Sequence, residues 1–301
     1  MTCNTSVLTF DISATAGMYS QLTGVLAGFA FVAITLVLAG DHRRKGEEVA
    51  GDVRETTTDV HVLLALVAAF LGLIIATLEY AVLAGERACG LMLGRAASEE
   101  FLGGIIFAFA VFVLLYAVVQ MVAHSGLPRI GEHVRVIVTL FGPPLAILFL
   151  AVAAQDVANT PWLSVGLSTV QPQHTQFADV IEWLALPLPV VMLLMCSAIM
   201  LVGWRWRMRK HRFRRSRLPH EHDFGRIAFP YMSLVLVIGP AVRSAMLSSL
   251  DASAHISHWE VVIWLSTCFV WLLVQTALLS FARDLDGGVK SRAHTKRRQV
   301  S

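Results

Sequence analysis

The stretch Trp204-Arg-Trp-Arg-Met-Arg-Lys-His-Arg-Phe-Arg-Arg-Ser-Arg217 follows without a break on the apolar run from Leu184 to Val202. Eight of its fourteen residues are Lys or Arg. Cationic side chains beside a membrane span stay on the cytoplasmic side, because carrying them through the hydrocarbon is costly. This block therefore fixes the direction of the span before it, and through it the direction of every other span.

The composition agrees with a membrane setting. The chain has 301 residues, 56% hydrophobic and 15% charged, against about 25% charged in soluble domains. Seven segments are long and apolar enough for a bilayer, which needs about 20 helical residues. They are Met18–Gly40, His61–Leu83, Phe101–Val122, Val134–Ala154, Val180–Trp204, Ile227–Ser249 and Val261–Phe281. Every Lys and Arg outside these spans falls on one side, except Arg87 and Arg95. Arg43, Arg44, Lys45 and Arg54 follow the first span, Arg129 and Arg135 the third, and Arg283 to Arg298 the seventh. The expected fold is an all-α integral membrane protein, a bundle of about seven transmembrane helices. Its N-terminus lies outside and its C-terminus in the cytoplasm. Residues 1–40 contain no Lys or Arg, so the basic start of a secretory signal is missing. The loops are too short to build a second core. Residues 1–283 thus form the transmembrane domain, and the basic tail 284–301 reads as disordered. The expected location is the cell (plasma) membrane.

Arg243 stands about six residues, or ~9 Å at 1.5 Å per residue, inside the outer end of the sixth span. A charge at that depth costs several kcal/mol unless paired or hydrated, so it marks a candidate site. Glu79, ~6 Å inside the second span, and Glu182, in the first turn of the fifth, are its candidate partners. Tyr80, Asp179 and Glu260 lie slightly further out. Prolines 143, 144, 187, 189, 230 and 240 cluster in the fourth to sixth spans. Each removes an N–H and frees a carbonyl one turn back, and broken helices of this kind form substrate sites in transporters. Pro240, one turn before Arg243, frees the Leu236 carbonyl. Arg243, Glu79, Glu182, Tyr80 and Pro240 therefore define an expected outer-half pocket for a small polar or anionic solute. A structural ion pair and a proton or ion relay are the competing uses.

Other motifs are weaker. Ser20, Gly24 and Gly28 recur every fourth residue and form a helix-packing face or a homo-oligomer seam. Asp251, His255 and His258 share one face only if their loop is helical, and would then suit a metal. His220-Glu221-His222-Asp223 lacks the spacing for a common face. His61, His124 and His133 lie at span ends, away from a bis-histidine haem position. Cys3 and Cys89 both fall on the outer side, where a disulfide is permitted, while Cys196 and Cys268 read as small core residues. The sequence contains no GxSxG elbow, HExxH pair or P-loop lysine. All four lysines lie outside the spans, which leaves none for a retinal Schiff base. No enzyme, cofactor or nucleic-acid partner is expected. Arg205, Arg207, Arg209, Lys210 and Arg212 are placed for anionic lipid head groups at the cytoplasmic face. Transporter or permease is the leading functional class. A non-catalytic sensor, complex subunit or assembly factor, with a homo-oligomeric or membrane-protein partner, is the alternative.

Overall fold

The computed structural model describes residues 12–47, 56–85, 93–124, 128–165, 176–212, 223–250 and 254–281. Among them there is no strand. The helices are α1 (Ile12–Glu47), α2 (Thr56–Gly85), α3 (Leu93–His124), α4 (Pro128–Val165), α5 (Gln176–Ala185), α6 (Pro187–Arg212), α7 (Asp223–Ser248) and α8 (His258–Phe281). Seven are long and apolar enough to cross a membrane. The protein is an integral, multi-pass membrane protein whose outer helix faces meet lipid.

The exception is α5, only 10 residues long. The sequence predicts one fifth span over 180–204, but the chain breaks at Leu186. Proline disfavours helical backbone in the residue before it, yet its own fixed φ suits the first helical position. Pro187 accordingly begins α6, and its spanning part runs from Pro187 to Trp206. The short α5 is amphipathic. Ile181 and Ala185 are buried, while Asp179, Glu182 and Trp183 are exposed. The other prolines of the expected fourth to sixth spans break nothing: α4 runs continuously through Pro143 and Pro144, and α7 through Pro230 and Pro240. The expected series of broken helices reduces to the α5–α6 joint.

Burial places α3 at the centre. Some 72% of its spanning segment is buried, against 17% for α1 and α6. Its sequence is apolar around the whole circumference, from Phe101 through Val113, as a helix surrounded by others requires. It packs on α2, α4 and α7. Without aqueous solvent to drive burial, helices associate through close packing at small residues. A Cβ on Gly72 of α2 would come within 2.9 Å of the Ala110 Cβ on α3, so glycine sets how near these two helices lie. The face carrying Ser20 and Gly24 packs within the bundle. Ser20 Oγ donates to the Thr77 carbonyl at 3.2 Å, and a Cβ on Gly24 would lie 3.8 Å from the Thr77 methyl. A Cβ on Gly28 would meet no other helix within 4 Å.

We call the end where α1 begins proximal and the opposite end distal. Ser13 Oγ donates to the Ala84 carbonyl at 2.6 Å, tying the start of α1 to the end of α2. Trp183 and Trp259 are exposed at the proximal end, and Trp204 and Trp206 at the distal end. This pairing matches the aromatic belts at the two faces of a bilayer. At the distal end, Arg135 of α4 donates to the Leu279 carbonyl in the last turn of α8. Arg135, counted with the loop cations in the sequence, therefore has a specific capping role. Cys196 and Cys268 are buried free thiols. The tail 284–301, Cys3, Cys89 and the stretch 213–222 lie outside the described residues.

Candidate functional site

The last turns of α7 carry three polar side chains in a short interval: Arg243, Ser244 and Ser248. Successive helical residues point about 100° apart, so the three reach different neighbours. Arg243 Nη2 donates to both oxygens of Glu260 on α8, at 3.0 and 3.1 Å. Ser244 Oγ donates to Glu79 Oε2 on α2 at 2.6 Å. The Ser248 hydroxyl lies 2.8 Å from Glu99 Oε1 on α3 and 3.0 Å from the Ser244 carbonyl. The proximal end of α7 is thus hydrogen-bonded to α2, α3 and α8 through a carboxylate on each.

The partner of Arg243 is Glu260, not Glu79 or Glu182. Glu260 is held by a second device. Its backbone N–H donates to Ser257 Oγ at 3.3 Å, and its Oε2 accepts the Ser257 N–H at 3.2 Å. This reciprocal pair is a capping box at the start of α8. The pair sits at the rim, with Arg243 30% and Glu260 34% exposed. Glu182 is exposed on α5 and is not brought to the cluster. Pro240 is buried one turn before Arg243.

Glu79 and Tyr80 adjoin in sequence but open onto different seams. Glu79 faces α7. Tyr80 turns toward α1 and α3 and is 1% exposed. Its ring stacks on Tyr19 of α1 with centroids 5.2 Å apart, and it covers Gly103 of α3, where a Cβ would lie 3.5 Å from the ring carbon Cζ. Tyr19 also meets Phe149 of α4 edge-on at 5.5 Å. The single pocket expected from the sequence is therefore two polar seams, separated by the wall of α2.

Two residues at the centre of this end escaped the sequence reading. Glu99 and Glu100 fall just before Phe101, where the third span was expected to begin. Instead α3 begins at Leu93, so both lie within the helix, 4% and 8% exposed. The stretch from Leu93 to Glu100 contains Ala and Glu and no proline, a helix-permissive composition that extends the span backward. Arg95 accompanies Glu99, with Nε 3.9 Å from Oε1. Its Nη1 donates to the Leu250 carbonyl at 3.3 Å. Ser98 Oγ accepts the Ile256 N–H at 3.1 Å, tying α3 to the α7–α8 connection. Glu100 points the other way, and its electrostatic neighbours are Asp156 of α4, Tyr80 and Tyr19. Asp156 was likewise set beyond a fourth span expected to end at Ala154. The capping box was legible as Ser257-x-x-Glu260 ahead of an apolar run.

The remaining candidates are placed differently. Residues 254–257 are not helical, so His255 and His258 do not share a helix face; Asp251 lies outside the described residues. Among the described residues, no group of three or more His, Cys, Asp or Glu side chains is placed to hold a metal ion. His220, Glu221 and His222 lie outside the described residues, as do the side chains of His61, His124 and Asp223. Arg205 is exposed between Trp204 and Trp206. The side chains of Arg207, Arg209, Lys210 and Arg212 lie outside the described residues. A groove of about 590 Å³ lies between α7 and α8, lined by Met232, Val235, Leu236 and Trp271 among others. It is apolar and does not include the carboxylates.

Chemically, the proximal end offers carboxylates at membrane depth, three of which (Glu79, Glu99 and Glu260) meet a hydroxyl or an arginine from α7, with a rim cation beside them. Such a set accepts protons, binds cationic groups or, at Arg243, attracts anions. No protein-family model matches the chain, and neither curated proteins nor solved structures give a match.

Proposed function

We propose that this membrane protein is a small-solute or ion transporter of the permease type, with its polar site at the proximal end. The sidedness of Lys and Arg puts that end outside the cytoplasm. One observation carries the reading. Glu79 lies within a spanning helix and accepts one hydrogen bond, from Ser244, whereas an ionised carboxylate has about four acceptor sites. An under-coordinated carboxylate at that depth is expensive, and such residues line ion and substrate paths. The Arg243–Glu260 pair at the rim supplies both signs of charge at the entrance.

A panel of small charged solutes tests this through thermal unfolding of the purified protein. A solute present at 100 times its Kd stabilises by about 2.7 kcal/mol. At least one solute is expected to raise the Tm of the wild type and to lose that effect in Glu79→Gln. A folded wild type that responds to none of the inorganic ions, organic acids and amines overturns the proposal.

The alternative is a non-catalytic sensor, complex subunit or assembly factor. It is favoured by the capping-box role of Glu260, which gives Arg243 a structural use at the start of α8. Co-purification of a stoichiometric membrane-protein partner, with no response to solutes, supports that class.

A further inference from the structure

We propose that the seam between α7 and α8 is a binding site for one anionic phospholipid, with its phosphate on Arg243 and one acyl chain in the groove below. The inference does not rest on the transport reading.

The seam is built by register. α7 packs chiefly on α3 and α2, and α8 on α4 and α6, so the two antiparallel helices meet each other through side chains. Near the proximal end Arg243 Nη2 donates to Glu260 Oε1 at 3.0 Å. Four residues further down each helix, a Cβ on Gly239 would lie 3.1 Å from Cη2 of Trp264. Three residues more bring Leu236 to the depth of Thr267, and another four bring Met232 to that of Trp271. Steps of three and four keep each series on one helix face. Leu236, Met232, Thr267 and Trp271 all line the groove of about 590 Å³. The groove therefore continues the stripe that begins with the ion pair.

On the bundle side the seam is closed. Gln275 Nε2 donates to Ser233 Oγ at 2.9 Å, and both residues are buried. On the other side it is open, where Met232, Val235 and Val270 are exposed to the hydrocarbon. The lining is apolar, and the Thr267 hydroxyl is already used by the Ile263 carbonyl at 2.7 Å. Such walls suit an aliphatic chain better than a polar solute. A partner's transmembrane helix does not match the shape. The Trp264 ring reaches across the seam to Gly239. From Gly239 to Met232 the groove is ~10 Å tall at 1.5 Å per residue, against a hydrocarbon core of about 30 Å.

Length and charge identify the occupant. Arg243 and Met232 are eleven residues apart, or ~16 Å along the helix. One leaflet's share of the hydrocarbon is ~15 Å. A lipid whose phosphate stands at Arg243 therefore places the end of its chain in the groove. Arg243 has donors to spare. Both bonds to Glu260 come from Nη2, which leaves Nη1 and Nε for two phosphate oxygens, the forked geometry a guanidinium favours. The side chain is 30% exposed, so a head group can reach it. The charge of Glu260 is offset in part by the N-terminus of α8, which it caps. The rim thus retains a pull on an anion.

Quenching of tryptophan fluorescence by brominated acyl chains tests this at the groove itself. The protein used keeps Trp264 and Trp271, has Phe at the remaining tryptophans, and is reconstituted in phosphatidylcholine vesicles containing a minority of phosphatidylglycerol. Bromine on the phosphatidylglycerol chains is expected to quench as though that lipid were enriched about fivefold at the site, the preference one arginine gives. Ser266→Phe, on the exposed wall of the groove, is expected to remove the enrichment. Arg243→Gln is expected to remove it and Glu260→Gln to increase it. If the ion pair only braced the helices, these two would act alike, and that result overturns the head-group assignment. Equal quenching by the two lipids in the unsubstituted groove, or enrichment that survives Ser266→Phe, overturns the site. Where the tryptophan replacements fail to fold, native mass spectrometry compares Ser266→Phe with the wild type. One retained phosphatidylglycerol fewer is expected, and an equal number overturns the proposal.

Discussion

The hydrogen bond between Ser244 and Glu79 invites a double-mutant cycle, with Glu79→Gln, Ser244→Ala and the double variant compared with the wild type. The oxygens are 2.6 Å apart, inside the range of about 2.5–2.7 Å for a hydroxyl donating to an ionised carboxylate. In water-soluble proteins, hydrogen bonds to charged groups contribute about 1.5–3 kcal/mol. Within membranes, the unfolded helices find other partners, and measured pairs average about 0.6 kcal/mol, with a maximum near 1.7. Ser244 is fully buried and the bond is short, so the coupling belongs in the upper half of that range. We expect ~1–1.4 kcal/mol, a fivefold to tenfold change in the unfolding constant. Reversible unfolding in bicelles, read by steric trapping, measures it. Uncoupled sites are additive within about 0.3–0.5 kcal/mol. A coupling no larger than that refutes the argument that α7 is hydrogen-bonded to α2 through an ionised Glu79.

Ser257→Ala removes the capping serine of α8 and is expected to cost about 1 kcal/mol of stability; the same unfolding assay checks it, and an unchanged value contradicts the capping box. Gly72→Val places a branched side chain where Ala110 already stands. Overpacking of this kind costs about 1–3 kcal/mol, so wild-type stability would contradict the close approach of α2 to α3. Arg135→Gln removes the donor to the Leu279 carbonyl. Hydrogen exchange in the last turn of α8 is expected to speed up by an amount equivalent to about 0.3–1 kcal/mol, while exchange near His258 is unchanged. For the orientation, an impermeant maleimide in intact, reduced cells is expected to label Cys89 but not a Ser216→Cys variant; the reverse result inverts the topology.

The scaffold was legible because hydropathy over about 20 residues is a coarse, additive signal that neighbouring side chains do not alter. What the sequence misjudged were the ends of spans. Glu99 and Glu100 looked like loop residues because two adjacent acids usually end an apolar run. Here the helix continues because Ser248 and Arg95 accompany Glu99, contacts supplied by residues distant in the chain or one turn away. Asp156 was misplaced for the same reason at the end of α4. The prolines misled in the opposite direction. Proline removes one N–H but does not end a helix that packing holds on both sides, and Pro143, Pro144 and Pro240 remain inside α4 and α7. Of the prolines within the expected spans, only Pro187, where the chain also turns, starts a new helix. The partner of Arg243 was hidden because depth along a helix axis says nothing of azimuth. Glu79 and Glu260 are both near it in depth, but α7 presents Ser244 to Glu79 and Arg243 to Glu260. The adjacent pair Glu79 and Tyr80 was read as one pocket on the same incomplete basis.

The central claim is that the carboxylates at the proximal end serve a passing ligand and do more than hold helices together. Transient currents from the reconstituted protein on a solid-supported membrane test it most directly, with jumps of each solute that stabilises the purified protein. The account predicts a current in the wild type that is abolished in Glu79→Gln while that variant remains folded. Solutes that bind without any current, or a current unchanged in Glu79→Gln, would contradict it.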